Sequence, residues 1–299
     1  MGSPLNADAD QAGDGNATPP AGQSAIELRH VTVMRGGRAL LNDVSWSVPA
    51  GAVAAVLGHN GSGKSTLARV LMGQMWPASG EVSVLGERFG QTDLNQLRES
   101  IRIVQPAGGV TFGSDQTLLD VVLTGYFGTV GLYRPVTGPM RDRAESIVHR
   151  VGLRVQSGSK FGTLSSGERM RCLIARAVVT TPRLLILDEV TAGLDLLARE
   201  QVLATVHRLV TAAVEPPTVL MITHHVEELL PQTSAVLLLK DGRALAAGPP
   251  ERVLTTEVLS EAYDFPVRVE SRDRRYWLSV SPSAWDALVP DQVTERTLA

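Results

Sequence analysis

The sequence predicts an α/β fold: a parallel sheet built by right-handed crossovers, with an antiparallel sheet ahead of it and a helical insertion inside it. Three observations carry that expectation. Residues 52–73 read as strand, glycine loop, helix. Downstream, apolar runs at 184–187, 218–222 and 236–239 alternate with a helical stretch at 196–210, the pattern of strands joined by crossovers. Upstream, residues 26–28 and 31–33 read as a strand, a Gly36-Gly37 turn follows, and residues 41–48 alternate in part, as in a hairpin.

Before residue 25 the chain is Gly, Ala, Pro, Asn and Asp with almost no large apolar residue, which predicts a disordered tail over 1–24. After the first helix, stopped by Gly73, come a strand at 81–85, a short helix at 94–100 and a strand at 101–104. From 105 to 162 the texture changes. Glycines are frequent, and helical patterns at 116–124 and 140–151 flank an irregular stretch at 125–139. With the helix after Gly167, these form a predicted insertion over about 105–180 inside a domain of 25–250. Residues 251–299 read as a small extension, with a helix at 251–262 and a hairpin of 267–269 and 276–280 around the charged stretch 271–275.

Composition narrows the function. The 299 residues carry 28 Lys and Arg against 31 Asp and Glu, a net charge of −3, which gives no electrostatic footprint for nucleic acid. Aromatics at 4% are too few for base-stacking platforms. The single cysteine, Cys172, lies in an apolar helical pattern, so no disulfide framework forms within the chain and a buried, inert thiol in a reducing cytoplasm is expected. No run of about 18 apolar residues exists to span a bilayer. The N-terminus shows no signal-peptide pattern, and Asn6 stands where a myristoylation signal has Ser or Thr.

Gly58-His59-Asn60-Gly61-Ser62-Gly63-Lys64-Ser65-Thr66 fits the phosphate-binding loop G-x-x-x-x-G-K-[ST] in the strand-to-helix context it needs. Glycines let the backbone curl so that several N–H groups converge, and the helix start adds partial positive charge. Lys64 is expected at the terminal phosphates and Ser65 at Mg²⁺. A second strand, 184–187, ends in Asp188-Glu189, which places Asp188 beside the Mg²⁺ site and Glu189 where an attacking water would lie. A third motif, Leu164-Ser165-Ser166-Gly167-Glu168, precedes a helix with an apolar stripe at Met170, Leu173, Ile174, Ala177 and Val178. Taken singly, Ser165 and Asp195 read equally as helix N-caps, and His224 or His225 as a strand-end histidine.

In this order, the motifs resemble the ATP-binding subunits of ABC transporters over residues 26–250. Leu164-Ser165-Ser166-Gly167-Glu168 resembles the family signature, Val190-Thr191-Ala192-Gly193-Leu194-Asp195 its D-loop, and Thr223-His224 its switch histidine. The resemblance implies a P-loop NTPase with an ABC-type mixed sheet. It further implies ATP hydrolysis in a head-to-tail homodimer or pseudo-dimer, with ATP held between the P-loop of one copy and Ser165, Ser166 and Gly167 of the other. Glu189 would polarise water, His224 would hold the γ-phosphate, and Asp195 would couple the two sites. The partners implied are transmembrane permease subunits, docked on the insertion, where Tyr126, Phe127, Leu132 and Tyr133 read either as contacts or, each taken singly, as core packing; the location implied is the cytoplasmic face of the cell membrane.

Four positions depart from the family pattern. Arg35, with Met34 beside it, stands where an aromatic residue stacks on adenine; its guanidinium plane suits a base, and a solvated surface residue is the equal alternative. Gln105, the expected link to Mg²⁺, comes one position early, with Pro106 in the usual slot. Val190 replaces a common proline and Glu168 a glutamine. Two other readings stay open at this point: an ATPase acting on a cytosolic assembly, and a nucleotide-gated binding module with little turnover.

Overall fold

The computed structural model describes residues 23–106, 111–153, 158–213 and 215–287. In chain order the elements are β1 (Ser24–Arg35), β2 (Arg38–Pro49), β3 (Val53–Leu57), α1 (Lys64–Leu71), β4 (Ser79–Val84), β5 (Glu87–Arg88), α2 (Leu94–Glu99), β6 (Ile101–Val104), α3 (Leu118–Leu123), α4 (Gly138–Arg150) and α5 (Ser166–Val178). They continue with β7 (Leu184–Asp188), α6 (Leu196–Thr211), β8 (Thr218–Ile222), β9 (Thr233–Lys240), β10 (Arg243–Gly248), α7 (Pro250–Val253), α8 (Thr256–Tyr263), β11 (Arg268–Arg272) and β12 (Arg275–Ser279). The predicted tail falls mostly on residues 1–22, outside the described residues, as do residues 288–299 of the C-terminal section.

The central sheet has six strands in the order β10-β9-β3-β8-β7-β6. Five run parallel, and β10 closes the edge antiparallel to β9. Every residue of β3, β7 and β8 is buried, as expected for parallel strands covered on both faces. One face packs against the helices α3 to α6. The other packs on α1 and on a four-stranded antiparallel sheet, β2-β1-β4-β5. The fold class is the one the sequence predicts.

β1 is the strand expected around 26–33, and His30, at φ 52°, sits where its register against β2 shifts between Leu28 and Val31. One element departs from the sequence reading. β10 was not anticipated. Its sequence, Arg-Ala-Leu-Ala-Ala-Gly, has no apolar alternation, and the edge is fixed instead by the turn at Asp241-Gly242, with φ of 50° and 78°. The hairpin β11–β12 turns at Asp273-Arg274, both also at positive φ.

Candidate functional site

The site lies along the edge of the central sheet formed by the carboxyl ends of its parallel strands. β3 ends at Leu57, and the loop that follows starts α1 at Lys64. Gly58, Gly61 and Gly63 take φ of 149°, 86° and 110°, values that side chains resist. Close packing adds a second reason at two of them. A Cβ on Gly58 would lie 2.3 Å from the Leu239 carbonyl, and one on Gly63 would lie 2.8 Å from the Leu41 side chain. At Gly61 nothing stands within 4 Å, so this turn of the loop faces open space. Asn60, Gly61 and Ser65 are exposed, Thr66 is half-buried, and Ser62 is buried.

A brace holds the loop from below. The Gly242 amide donates to the Ser62 carbonyl (3.0 Å), and the Asn42 amide donates to the Gly242 carbonyl (2.7 Å). The His59 ring lies 3.7 Å from the Asp241 carboxylate. The β9–β10 turn thus supports the loop, a role the sequence reading missed. Its signal was present in the Asp-Gly dipeptide, which favours such turns.

Lys64 is 5% exposed, and its Nζ donates to the carbonyls of Gly58 (2.7 Å) and His59 (3.0 Å). Burial pushes its pKa down, while the charges of Glu189 and Asp188 oppose that shift. Asp188 closes β7 and is buried. Burial pushes its carboxyl up, opposed chiefly by Gln105, whose Nε2 donates to Oδ2 at 2.6 Å. Gln105 reaches Asp188 from its early position directly after β6. A buried ammonium and a buried carboxylate, each left with a net desolvation penalty, fit a site completed by an anion near Lys64 and a hard cation near Asp188 and the Ser65 hydroxyl.

Glu189 follows at φ 52°, in the left-handed region, held by its amide donating to the Ile222 carbonyl (2.8 Å). Non-glycine residues in this conformation gather at functional sites. Its Oε1 lies 3.3 Å from His224 Nδ1, two residues beyond β8. The loop carrying His224 is fixed on both sides. Thr223 Oγ1 donates to the buried Glu228 carboxylate and accepts from the His225 amide (3.1 Å). Tyr263 of α8 donates its hydroxyl proton to the His224 carbonyl at 3.3 Å. His225 lies 3.4 Å from Glu227. The anchoring by Tyr263 joins residues 39 positions apart, and no sequence pattern announces it.

The remaining residues of interest form a second group. Ser165 caps α5: its Oγ accepts from the Glu168 amide (3.3 Å), and Glu168 Oε2 accepts from the Ser165 amide (2.9 Å) and hydroxyl (2.7 Å). Those bonds hold the Glu168 carboxyl below its ordinary range. Ser166 is exposed, and Gly167 abuts Ala198 so closely that a Cβ would come within 2.9 Å of the Ala198 methyl. Asp195 caps α6 through the Ala198 amide (2.8 Å) and is exposed. Among the described residues, the hydrogen bonds of this group do not reach the loop at 58–66. Arg35 is exposed at the tip of the β1–β2 hairpin, whose Leu41 packs on Gly63. Cys172 is fully buried, and burial pushes its thiol up to about 12.

A groove of about 880 Å³ opens beside the first group. Gln105 lines it together with Arg98, Arg102, Tyr126, Phe127 and Arg176, so one side chain touches both the groove and Asp188.

Comparison with known proteins places this arrangement. The ABC transporter family model matches residues 41–192. YlmA, an ABC transporter ATP-binding protein of Bacillus subtilis, is 35% identical over 259 residues, covering 86% of this chain and 98% of its own. The manganese transport system ATP-binding protein MntB of the same organism is 31% identical over 238 residues, covering 80% and 92%. Among solved structures, cbiO1 of Clostridium perfringens, part of the ABC transporter complex cbiONQ, superposes with a TM-score of 0.69 at 25% identity over 80% of this chain and 93% of that one. A phosphate loop, a strand-end Asp-Glu pair and a histidine two residues past the next strand, held on an α/β sheet of this topology, agree with those matches: the chain belongs to the ATP-binding ATPase subunits of ABC transporters.

Proposed function

We propose that this chain binds ATP along 58–66, hydrolyses it with Glu189 and His224, and uses the cycle to drive transmembrane permease subunits at the cytoplasmic face of the membrane. The observation that carries the catalytic part is convergence. Lys64, Gln105, Asp188 with Glu189, and His224 arrive from four different strand ends and meet at one edge of the sheet.

Phosphoryl transfer needs mainly positioning and charge stabilisation. Loop amides from Gly61 to Thr66 and the Lys64 ammonium bind the phosphates, with Lys64 leaving its two carbonyl partners to do so. Arg35, exposed at the β1–β2 tip, would offer its guanidinium plane to the base. Ser65 and Asp188 would hold Mg²⁺, with Gln105 positioned by its bond to Asp188. When bound there, the cation would supply charge neutralisation for phosphoryl transfer. Glu189 orients the attacking water and draws on its proton, and His224 donates a hydrogen bond to the γ-phosphate. Ser165, Ser166, Gly167 and Asp195 act on the nucleotide of a second copy. That their hydrogen bonds, among the described residues, do not reach the loop of the same copy is consistent with a head-to-tail pair. The helical segment of about 105–180 carries the docking groove for the membrane partner, within a domain of 25–250 followed by an extension.

The test uses Glu189→Gln. Turnover falls roughly 100-fold or more, as for a removed acid–base group, while ATP binding persists. With Mg-ATP the variant elutes as a dimer in size-exclusion chromatography. Wild-type turnover in this variant would refute the role of Glu189, and a monomer under saturating Mg-ATP would refute the paired site.

A further inference from the structure

At the opposite edge of the central sheet, where β7 and β8 begin, lies a separate pocket of about 290 Å³. Its size is at the small end of the ~300–1,000 Å³ range of ligand clefts. It is walled by α4, by the ends of α5 and α6, and by the Ala50-Gly51 turn before β3. Ile147, Val178 and Leu209 give it an apolar side, each less than 9% exposed. Arg143, Arg150 and Arg183 give it a cationic one; among the described lining residues these three guanidinium groups stand against one carboxylate, Glu215.

One detail separates this wall from an ordinary solvated surface. Arg183, which lines the pocket, has a buried Nε with no hydrogen-bond partner among the described residues. Buried donors are nearly always paired, so a small turn of this side chain would offer an unused guanidinium N–H to an acceptor in the pocket. Thr181, at φ 49°, closes the end of α5 with its amide donating to the Val178 carbonyl (3.0 Å), the left-handed turn common at helix ends. Arg143 contributes differently: its Nε donates to the Val179 carbonyl (2.9 Å), which ties α4 to the end of α5 and shapes the wall.

We propose that this pocket binds a small amphipathic anion, its acidic head on Arg183 and Arg150 and its apolar body against Ile147, Val178 and Leu209. Because the walls come from both the helical segment and the starts of β7 and β8, the ligand bridges the two. The site is independent of the nucleotide chemistry, since none of its lining residues belongs to the loop at 58–66 or to the Asp188–Glu189–His224 group.

The experiment is isothermal titration of the full chain with octanoate, with 1-octanol as the uncharged comparator. Two variants probe the two halves of the site: Arg183→Gln removes the orphaned donor, and Ala213→Trp fills the pocket from a half-buried lining position. Octanoate is expected to bind one to one and to weaken at least 10-fold in each variant, with octanol at least 10-fold weaker than octanoate on the wild type. ATP affinity, measured alongside, stays at the wild-type value in both. Lack of saturable octanoate binding to the wild type, unchanged octanoate affinity in either variant, or equal binding of octanol would overturn the assignment.

Discussion

Replacing Glu168 by Gln isolates a charge without changing a shape. The Glu168 carboxylate occupies the only hydroxyl proton of Ser165 (2.7 Å) and the Ser165 amide (2.9 Å) at the start of α5. If Ser165 is to grip the nucleotide of a partner copy, its proton must leave Glu168, and a negative charge stands beside the arriving triphosphate. Two opposite effects follow from one substitution. In the single chain, a carboxylate in the first turn of a helix contributes about 0.3–1 kcal/mol, so Glu168→Gln lowers Tm by about 1–3 °C. The Glu168 carboxyl is depressed below its usual 4.5 by the Ser165 hydroxyl and then the Ser165 amide. Its contribution is therefore present above the unfolded value and lost as pH falls through the folded one, so the Tm gap closes in strongly acidic buffer. In the pair, removing a unit charge next to an anion relieves about 1 kcal/mol at 4 Å even in bulk water. That corresponds to roughly fivefold tighter ATP-driven association. The assay is analytical ultracentrifugation across ATP concentrations, with Glu189→Gln in both chains to block turnover. Equal or weaker association in Glu168→Gln would show that Glu168 does not oppose nucleotide capture, and the reasoning would fail.

Three further outcomes are expected. Lys64→Ala loses the buried ammonium and weakens ATP binding at least ~100-fold, about 2.7 kcal/mol, read by fluorescent-nucleotide titration; an unchanged affinity would contradict the phosphate-loop role. Arg275→Ala breaks a bidentate contact with Glu200 (2.9 Å twice) and a bond to the Glu227 carbonyl (2.8 Å), costing about 1 kcal/mol in urea unfolding, since the pair is partly exposed. Arg275 also holds the Glu200 carboxyl low, so that loss shrinks as pH drops below the carboxylate range; a gap that persists there would point to packing instead of charge. Cys172, raised to about 12 by burial, stays unreactive toward Ellman's reagent at pH 8 in the native chain and gives one equivalent after denaturation; labelling of the folded protein would show that α5 opens.

What the sequence disclosed was local, and what it hid was long-range. The loop at 58–66, the strand ending at Asp188 and the cap at Ser165 were legible because each is a short run with its own physics: glycine conformations, a fully apolar strand, a serine three residues before a glutamate. β10 escaped because small residues on an antiparallel edge carry no periodic signal. The two anchors of the C-terminal section, Tyr263 on the His224 carbonyl and Arg275 on Glu200, join residues 39 and 75 positions apart. Gln105 shows the reverse case. Its displacement by one position looked like a defect in the pattern, yet the side chain spans the difference and reaches Asp188 at 2.6 Å.

That glutamine has a thermodynamic consequence. It belongs at once to the wall of the arginine-rich groove and to the carboxylate at the end of β7. Any occupant of the groove that favours one rotamer of Gln105 changes the free energy of loading the Asp188 end, and linkage makes the exchange mutual: nucleotide state must alter the groove's affinity by the same factor. Measuring either affinity with the other ligand present or absent therefore yields both halves of any coupling that Gln105 carries.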